Sequence, residues 1–326
     1  MIYPEFLKNN DTIGICAPSA GMGRKLEEFE ESLKVFEGKG YKVKETASVR
    51  VNSNRGGSAT KRAKEFHELI EDKNVDMVFF AAGGDYMLEM LPYVDFDKVK
   101  ENPKWMCGMS DPTNLLFTTT TNCDIATLYG FNSGGMSIKE EKDQKVCFEY
   151  LKGNLVKQKS FKKYITCEEY YSGVKRKKHD VKWVSKKDYK LSGRCIGGCL
   201  EVIDKLMGTN LDKTKEFLEK YKEDGFIWYL DVFSHSSYQF YLTLLQMKMA
   251  GYFKYCKGVL VGRVAFPRIE DPKMNYIQAA DKVLGKIPHI MEMDIGHTSP
   301  GMMMINGAMI DVECKGGKGS ISFRLE

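Results

Sequence analysis

The stretch WMCGMSDPTNLL, residues 105–116, joins a short apolar run to a segment with helical character. The apolar run ends at Cys107 and Gly108, Ser110 follows, and Pro112 suits the first turn of a helix, where no N–H is needed. A serine on such a tight strand-to-helix turn projects its hydroxyl from the end of a sheet, close to helix N–H groups that lack intrahelical partners. The stretch therefore predicts a nucleophile elbow at Ser110.

A structural alternative is that Ser110 or Asp111 only caps the following helix through its side chain. The pattern Gly108-x-Ser110-Asp111 is short, and the full G-x-S-x-G pattern of many serine hydrolases is absent. On this stretch alone both interpretations stay open.

On both sides of this stretch, short apolar runs alternate with helical patterns. One predicted helix, RKLEEFEESLKVFEGKG, places Leu26, Phe29, Leu33 and Phe36 on one face. Strands that alternate with helices are typical of a mostly parallel, doubly wound sheet, so we expect an α/β fold. The predicted strands of the first half are TIGICAP, YKVKE, VDMVFFAAGG, PKWMCGMS and DIATLYG.

The length of 326 residues predicts two domains, at about 150 residues per domain. A lysine-rich segment without a long apolar run, about 156–190, is expected to be a crossover between them with one or two solvated strands; the alternative is an electrostatic patch. We expect an N-terminal domain at 1–155 and a C-terminal domain at 191–326. The second half contains a glycine turn into a helix at GRCIGGCLEVIDKLMG, an apolar strand FIWYLDVF and a hairpin with Asn306-Gly307 at its turn.

The balance of charge and hydropathy excludes some classes of partner. The formal net charge is +5, from 49 basic and 44 acidic residues, which does not indicate a nucleic-acid binder. The first residues do not resemble a signal peptide, and no apolar run approaches the roughly 18 residues of a membrane span. We therefore expect a cytoplasmic protein with no membrane partner.

A serine nucleophile needs a base and an acid that orients it. Of the five histidines, His297 in MDIGHTSPG is the best candidate for the base, because it follows an apolar run and a glycine. The carboxylate of Asp231 stands inside the apolar strand FIWYLDVF, where it is costly unless it is paired. Of the other histidines, His67 lies in a charged helical segment and His179 in the lysine-rich crossover. His235 follows the strand WYLDVFS, and His289 follows a proline.

The nine cysteines show no regular spacing. Cys195 and Cys199 form a C-x3-C pair without a nearby histidine or second pair, which is a weak metal signal. Reduced thiols are expected in a cytosolic protein, and we expect neither a metal nor a cofactor.

Several separated motifs, from about residue 10 to the C-terminus, resemble the serine LD-carboxypeptidases, peptidase family S66. This family includes murein tetrapeptide carboxypeptidases and microcin C self-immunity peptidases. The similar motifs, in order, are Gly83-Gly84, MLPYVDFD, Asn102-Pro103-Lys104, Gly108-Met109-Ser110-Asp111, GRCIGGCLEVIDKLMGT, FIWYLDVF with LLQMKMAG, and GHTSPG with INGAMIDV. The first half looks nearer the microcin-immunity branch.

The resemblance implies roles for individual residues. Ser110 matches the nucleophile, His297 the base, and Asp231 stands where the family has a glutamate, which is one methylene longer. The N–H groups of Gly84, Asp85 and Asp111 match the oxyanion hole. The chain departs from the family pattern at Met109 and Pro112 and at 129–132, where Tyr-Gly-Phe-Asn replaces a hydrophobic-Gly-Pro motif.

At the level of the fold, the resemblance implies an N-terminal doubly wound domain that carries Ser110. It also implies a C-terminal α/β domain of swivelling, partly barrel-like type that carries Asp231 and His297. The site would then lie at the domain interface, and family members are commonly homodimers.

The sequence and the resemblance are compatible with three functions. The first is an L,D-carboxypeptidase acting on a cell-wall peptide, and the second is a hydrolase of a peptidyl-nucleotide antibiotic that confers self-immunity. The third is a non-catalytic homologue that binds a peptide. A phosphate-binding turn at APSAGMG is a fourth and weaker reading. The candidates for binding a substrate carboxylate are Arg55, Arg194 and Arg263.

Overall fold

The computed structural model describes residues 1–139, 141–171 and 177–326. Residues 172–176 of the predicted crossover lie outside the described residues. The chain divides into two compact units, one formed by 1–154 with 303–307 and the other by 155–302 with 308–326.

The first unit is a sheet flanked by helices. Its elements are β1 (Thr12–Cys16), α1 (Leu26–Gly38), β2 (Lys42–Glu45), α2 (Ala59–Glu71), β3 (Met77–Phe80), α3 (Phe96–Glu101), β4 (Trp105–Gly108), α4 (Thr113–Cys123), β5 (Thr127–Tyr129) and α5 (Lys142–Leu151). Single turns of 3-10 helix lie at Gly23–Lys25, Ala47–Arg50 and Ser133–Gly135, and a longer one at Met87–Tyr93.

The strand order of this sheet confirms the predicted doubly wound fold. From the described residues, β5, β4, β3, β1 and β2 run parallel in that order, and the later segment Met304–Asn306 adds an antiparallel edge strand beside β5. Strands β3 and β4 are buried along their whole length, as expected for parallel strands covered on both faces. In such sheets the loops at the carboxyl ends of neighbouring strands form the binding crevice.

The helix α1 lies within the predicted segment and runs from Leu26 to Gly38, but its buried face is rotated from the predicted one. Phe29 and Phe36 are fully buried, whereas Leu26 is 40% exposed and the additional buried positions are Ser32 and Val35. The Ser32 hydroxyl donates to the Phe29 carbonyl, so a small polar residue enters the core without an unsatisfied group.

The second unit has a mixed sheet of its own. Its elements are β6 (Gln158–Lys159), β7 (Lys163–Tyr164), α6 (Cys167–Tyr171), β8 (His179–Asp180), β9 (Tyr189–Cys199), α7 (Leu200–Leu206), α8 (Thr214–Lys220), β10 (Phe226–Asp231), α9 (Ser237–Met249), β11 (Cys256–Gly262), α10 (Tyr276–Leu284) and β12 (His289–Met293), followed, after β13 (Met304–Asn306) of the first sheet, by β14 (Met309–Lys315) and β15 (Lys318–Arg324).

The pairing within the described residues runs β12, β11, β10, β9, β14, β15, β6. The first four strands are parallel and the last four are joined by antiparallel pairs. A second α/β domain is therefore present, as expected. The lysine-rich segment contributes only short elements before β9 begins at Tyr189.

Two local predictions in the second half are wrong. The predicted glycine turn at 193–199 is the end of the long strand β9, and Gly197 is required there because a Cβ would overlap the Tyr229 carbonyl of the neighbouring strand. Asn306-Gly307 is not the turn of a hairpin, since β13 pairs with β5 while β14 pairs with β9 and β15. The Asn306 amide instead donates to the Thr127 hydroxyl in the first sheet.

None of the helices in the described part of the chain is both long enough and apolar enough to cross a bilayer.

Candidate active site

Ser110 occupies a sharp turn between β4 and α4. Its φ is +72°, in the left-handed region that is uncommon for a residue other than glycine, and its side chain is partly exposed. Gly108 permits the turn, because a Cβ there would lie 2.6 Å from Pro112 and 2.7 Å from Phe80. The predicted elbow geometry, with a strained backbone at the serine, is confirmed.

Two residues hold the elbow in this conformation. The N–H of Ser110 donates to the Tyr129 hydroxyl at 3.1 Å. The side-chain amide of Asn132 accepts from the Met109 N–H at 2.9 Å and donates to the Met109 carbonyl at 3.1 Å. The strained turn is therefore fixed on both sides of the peptide that precedes the serine.

The Gly83-Gly84 turn follows β3 and lies beside the serine. A Cβ on Gly83 would be 3.1 Å from the Ser110 Cβ and 3.3 Å from its Oγ, so glycine allows the close approach. Within the described residues the N–H groups of Gly84 and Asp85 have no hydrogen-bond partner. They are available to an anion, and their assignment to an oxyanion hole with the Asp111 N–H stays a prediction.

The capping alternative is wrong for both side chains. Pro112 is the residue before α4, no side chain caps the helix, and the first N–H groups bond to backbone carbonyls of Ser110 and Asp111. The Asp111 carboxylate is buried and points elsewhere, accepting from Ser19, Met87 and Asn114.

The second unit brings His297 and Asp231 together as predicted. Asp231 ends β10 and is fully buried, and His297 follows β12 with a side chain that is 7% exposed. The His297 Nδ1 lies 2.8 Å from Asp231 Oδ2 and 3.1 Å from Oδ1, and the His297 N–H also donates to Oδ1 at 3.3 Å. With Nδ1–H donated to the carboxylate, Nε2 is the nitrogen that carries the lone pair.

Electrostatics favour the charged form of this imidazole. Burial acts to lower the pKa of His297, but the charge of Asp231, the hydrogen bond to it and the charge of Glu201 outweigh burial and raise that pKa above its ordinary value. Burial and the charge of Asp231 also raise the pKa of Cys167 to about 12. The Cys167 thiol donates to the His297 carbonyl at 2.9 Å.

Gly296 lies close against the side chain of Asp231. Its φ is +89°, and a Cβ at this position would overlap the Asp231 carboxylate. The Phe233 ring packs 4.6 Å from the His297 ring, centroid to centroid, and limits the space on another side. The pocket around Asp231 is therefore filled, with little room for a longer side chain.

Glu201, which sequence reasoning missed, lies beside this pair. Its Oε1 accepts the N–H groups of Phe233, Ser234 and His235, and it is nearly buried. Burial opposes ionisation, but the charge of His235 and these N–H bonds hold the pKa of Glu201 below its ordinary value. The only feature of the sequence that could have indicated Glu201 is its position two residues after the end of the strand β9.

The other predicted binding residues are already engaged. Arg55 pairs with Glu89, Arg194 with Asp224, and the buried Arg263 with Asp294, so the structure favours none of them as a site for a substrate carboxylate. The remaining histidines bond to groups near them: His67 to the Asp95 N–H, His179 to Glu169, His235 to Glu201 and Asp204, and His289 to Asp281.

The phosphate-binding reading of APSAGMG is not supported. The N–H groups of Ala20, Gly21 and Met22 donate to backbone carbonyls, so they are not available to a phosphate. Cys195 and Cys199 are buried in β9, and among the described residues no group of three His, Cys, Asp or Glu side chains is placed to hold a metal ion.

Both halves of the chain are similar to known proteins. The N-terminal domain of the LD-carboxypeptidases matches residues 13–130, and their C-terminal domain matches residues 192–312. A putative carboxypeptidase of Treponema pallidum is 26% identical over 325 residues, which cover 94% of this chain and 90% of that protein. The microcin C7 self-immunity protein MccF of Escherichia coli is 31% identical over 122 residues, 37% of this chain and 36% of the relative.

Solved structures share the fold over the whole length. MccF in complex with aspartyl sulfamoyl adenosine superposes with a TM-score of 0.85 at 21% identity and covers 100% of both chains. Muramoyltetrapeptide carboxypeptidase from Oxalobacter formigenes superposes with a TM-score of 0.75 at 17% identity and covers 96% of this chain and 98% of that one. At these identities the structures show a common fold, while the two domain matches show that the chain belongs to the LD-carboxypeptidase family, peptidase family S66.

Proposed function

We propose that this protein is a serine-type carboxypeptidase that hydrolyses an amide bond near a free carboxyl end, as an L,D-carboxypeptidase does. The observation that carries the proposal is the strained Ser110 at the carboxyl end of β4, beside a glycine turn with available N–H groups. Nucleophilic serines of hydrolases sit on such turns. Membership of a peptidase family supports the same reaction class.

In the proposed mechanism, His297 Nε2 takes the proton of the Ser110 hydroxyl as Oγ attacks the scissile carbonyl. The N–H groups of Gly84, Asp85 and Asp111 stabilise the oxyanion of the tetrahedral intermediate. The imidazolium then gives its proton to the leaving amine, which leaves an acyl-enzyme on Ser110. Water, deprotonated by His297, releases the acid.

Asp231 supports this cycle by its contact with the histidine. Its carboxylate holds Nδ1–H, which directs the lone pair of Nε2 to the reaction, and it stabilises the imidazolium that forms. A Cβ on Gly296 would overlap the Asp231 carboxylate, which supports a close local fit around this aspartate.

A second candidate is hydrolysis of a peptidyl-nucleotide, as a self-immunity function. Its support is the similarity to MccF, both over 122 residues of sequence and in the fold of the whole chain. The chemistry at Ser110 would be the same, and only the group beyond the scissile bond differs. The cytoplasmic location and the homodimer that the family resemblance implies stay predictions.

Incubation of the purified protein with both substrate classes tests the proposal. We expect mass spectrometry to detect release of the terminal D-residue from an L,D-linked cell-wall tetrapeptide. Cleavage of a peptidyl-adenylate analogue instead would favour the second candidate. Ser110→Ala should abolish turnover, and Asp231→Asn should lower kcat by about 10³–10⁴-fold because it favours the wrong tautomer of His297.

The matched control is Ser192→Ala, which removes an exposed serine hydroxyl from β9 and should leave turnover unchanged. If neither substrate is cleaved while peptides bind equally to the wild type and to Ser110→Ala, the protein is a non-catalytic peptide-binding homologue.

A further inference from the structure

Three donors converge on the Asp111 carboxylate. The Ser19 hydroxyl and the Met87 N–H both donate to Oδ2, the latter at 2.8 Å, and the Asn114 side-chain amide donates to Oδ1 at 2.8 Å. Ser19 is fully buried and Asp111 is 5% exposed. These donors come from three places in the chain: the loop after β1, the loop after β3, and α4. The carboxylate thus joins the residue after the proposed nucleophile to two neighbouring loops.

The loop after β3 is held on both sides of the Gly84–Asp85 peptide. Before it, the Gly83 carbonyl accepts from the Ala20 N–H at 3.2 Å. After it, the Met87 N–H is bound to Asp111, and the Tyr86 carbonyl accepts from the buried Arg62 guanidinium at 2.9 Å. Arg62 also donates to the Pro18 carbonyl at 2.6 Å, so the loop after β1 is fixed by the same groups.

Gly84 lies directly against Ser19. Its φ is +147°, and a Cβ at this position would overlap the Ser19 hydroxyl oxygen. The orientation of the Gly84–Asp85 peptide thus depends on where Ser19 sits, and Ser19 is placed by its hydrogen bond to Asp111.

We propose that the Asp111 carboxylate and the Ser19 hydroxyl are positioning residues that hold the N–H groups of Gly84 and Asp85 in register with the Ser110 turn. This inference rests on the proposed serine-hydrolase function. It assigns to the side chain of Asp111 a role separate from that of its backbone N–H. The Asp111 carboxylate and the Ser19 hydroxyl therefore keep the oxyanion donors and the nucleophile in a fixed arrangement relative to each other.

Asp111→Asn tests this with almost no change of volume. If the new amide NH2 takes the place of Oδ2, it faces the Met87 N–H, and in the other orientation it faces the Asn114 amide. Either way two donors oppose each other, and the loop or α4 has to shift. Ser19→Ala is a milder second variant, because it removes one donor and leaves the other two.

We expect Asp111→Asn to lower kcat by about 10–100-fold and Ser19→Ala by about 3–10-fold, with KM within about twofold of wild type, because oxyanion donors act in the transition state. Thr119→Val is the control. It changes a buried side chain of α4, whose hydroxyl contacts the Met106 sulfur, and should leave kcat unchanged.

Hydrogen exchange tests the same proposal without any substrate. Asp111→Asn and Ser19→Ala should raise deuterium uptake in the peptide that spans residues 83–87, and Thr119→Val should not. Unchanged uptake, or a loss of activity confined to KM, would overturn the proposal. An inactive wild type would overturn the proposed function and the catalytic half of this inference, while the exchange result still decides whether Asp111 holds the loop.

Discussion

The two regions that carry the proposed catalytic residues are built on different physical principles. Around Ser110, position is set by the backbone: a residue with φ of +72° is held by Tyr129 and Asn132. Around His297, position and protonation are set by charge: a fully buried carboxylate is bonded to a nearly buried imidazole. The first region contains a strained backbone, whereas the second contains a charged group that has been removed from water at a cost in free energy.

The difference predicts which substitutions each region tolerates. In the elbow, a change matters when it releases the backbone, even if charge is unaltered. In the His297 region, a change matters when it alters the charge or the length of the acid. Substitutions in each region can therefore distinguish sensitivity to backbone position from sensitivity to charge.

Among the substitutions that compare the two regions, Asp231→Glu is expected to have the largest effect, although the family resemblance implies a glutamate at this position. The longer side chain meets Gly296 and a buried pocket, and an added methylene in a filled site costs typically about 1–3 kcal/mol. We expect kcat to fall by about 10–100-fold, because a displacement of about 1 Å misaligns the imidazole. Steady-state kinetics with the cleaved substrate measure this.

Asp180→Glu is the control for that substitution, since Asp180 has an 83% exposed side chain and should tolerate the change. Wild-type kcat in Asp231→Glu would show that the region has free space and that the local-fit account of Gly296 is wrong.

An intermediate effect is expected for Asn132→Ala in the elbow. The substitution removes both hydrogen bonds to Met109 without touching a charge, so the strained turn can relax. We expect kcat to fall about tenfold with little change in the pH profile. Asn154→Ala, which removes an exposed amide that bonds to Glu149, should behave as wild type. A shifted pH profile in Asn132→Ala would contradict the claim that only the His297 region is sensitive to charge.

The smallest effect is a shift of the acid limb in the pH–rate profile. The base must be neutral to accept a proton, and the pKa of His297 is raised, so kcat/KM should rise with pH through a midpoint above about 6.5. Glu201→Gln removes one of the charges that raise this pKa, so the midpoint should move to lower pH. The exposed Glu313→Gln should leave it in place. A midpoint that rises in Glu201→Gln would contradict the electrostatic description.

Sequence reasoning succeeded where a single residue is out of place in its local pattern. Ser110 lies on a strand-to-helix turn, and Asp231 is a charged residue in an apolar strand. Each could therefore be identified as a candidate site residue without knowledge of the fold. The alternation of strands and helices likewise predicted the parallel sheet.

The supporting residues could not be predicted, because their roles depend on distant partners. Ser19 and Asp111 are 92 positions apart, and Met109 and Asn132 are 23 apart. The Asn306-Gly307 hairpin failed for a related reason. The local turn signal is real, since Gly307 has a φ of +87°, but strand pairing over a long distance decides which sheet each flank joins.

The central claim is that Ser110 and the Asp231–His297 pair act as one catalytic group. Covalent labelling of Ser110 by an activated phosphonate, followed by intact-protein and peptide mass spectrometry, tests it most directly. We predict one adduct on the peptide that contains Ser110, with a labelling rate that falls by about 100-fold or more in His297→Gln, because the general base is lost. His179→Gln, which alters a half-buried histidine paired with Glu169, should be labelled at the wild-type rate. Labelling of His297→Gln at the wild-type rate, or an adduct on another residue, would contradict the claim.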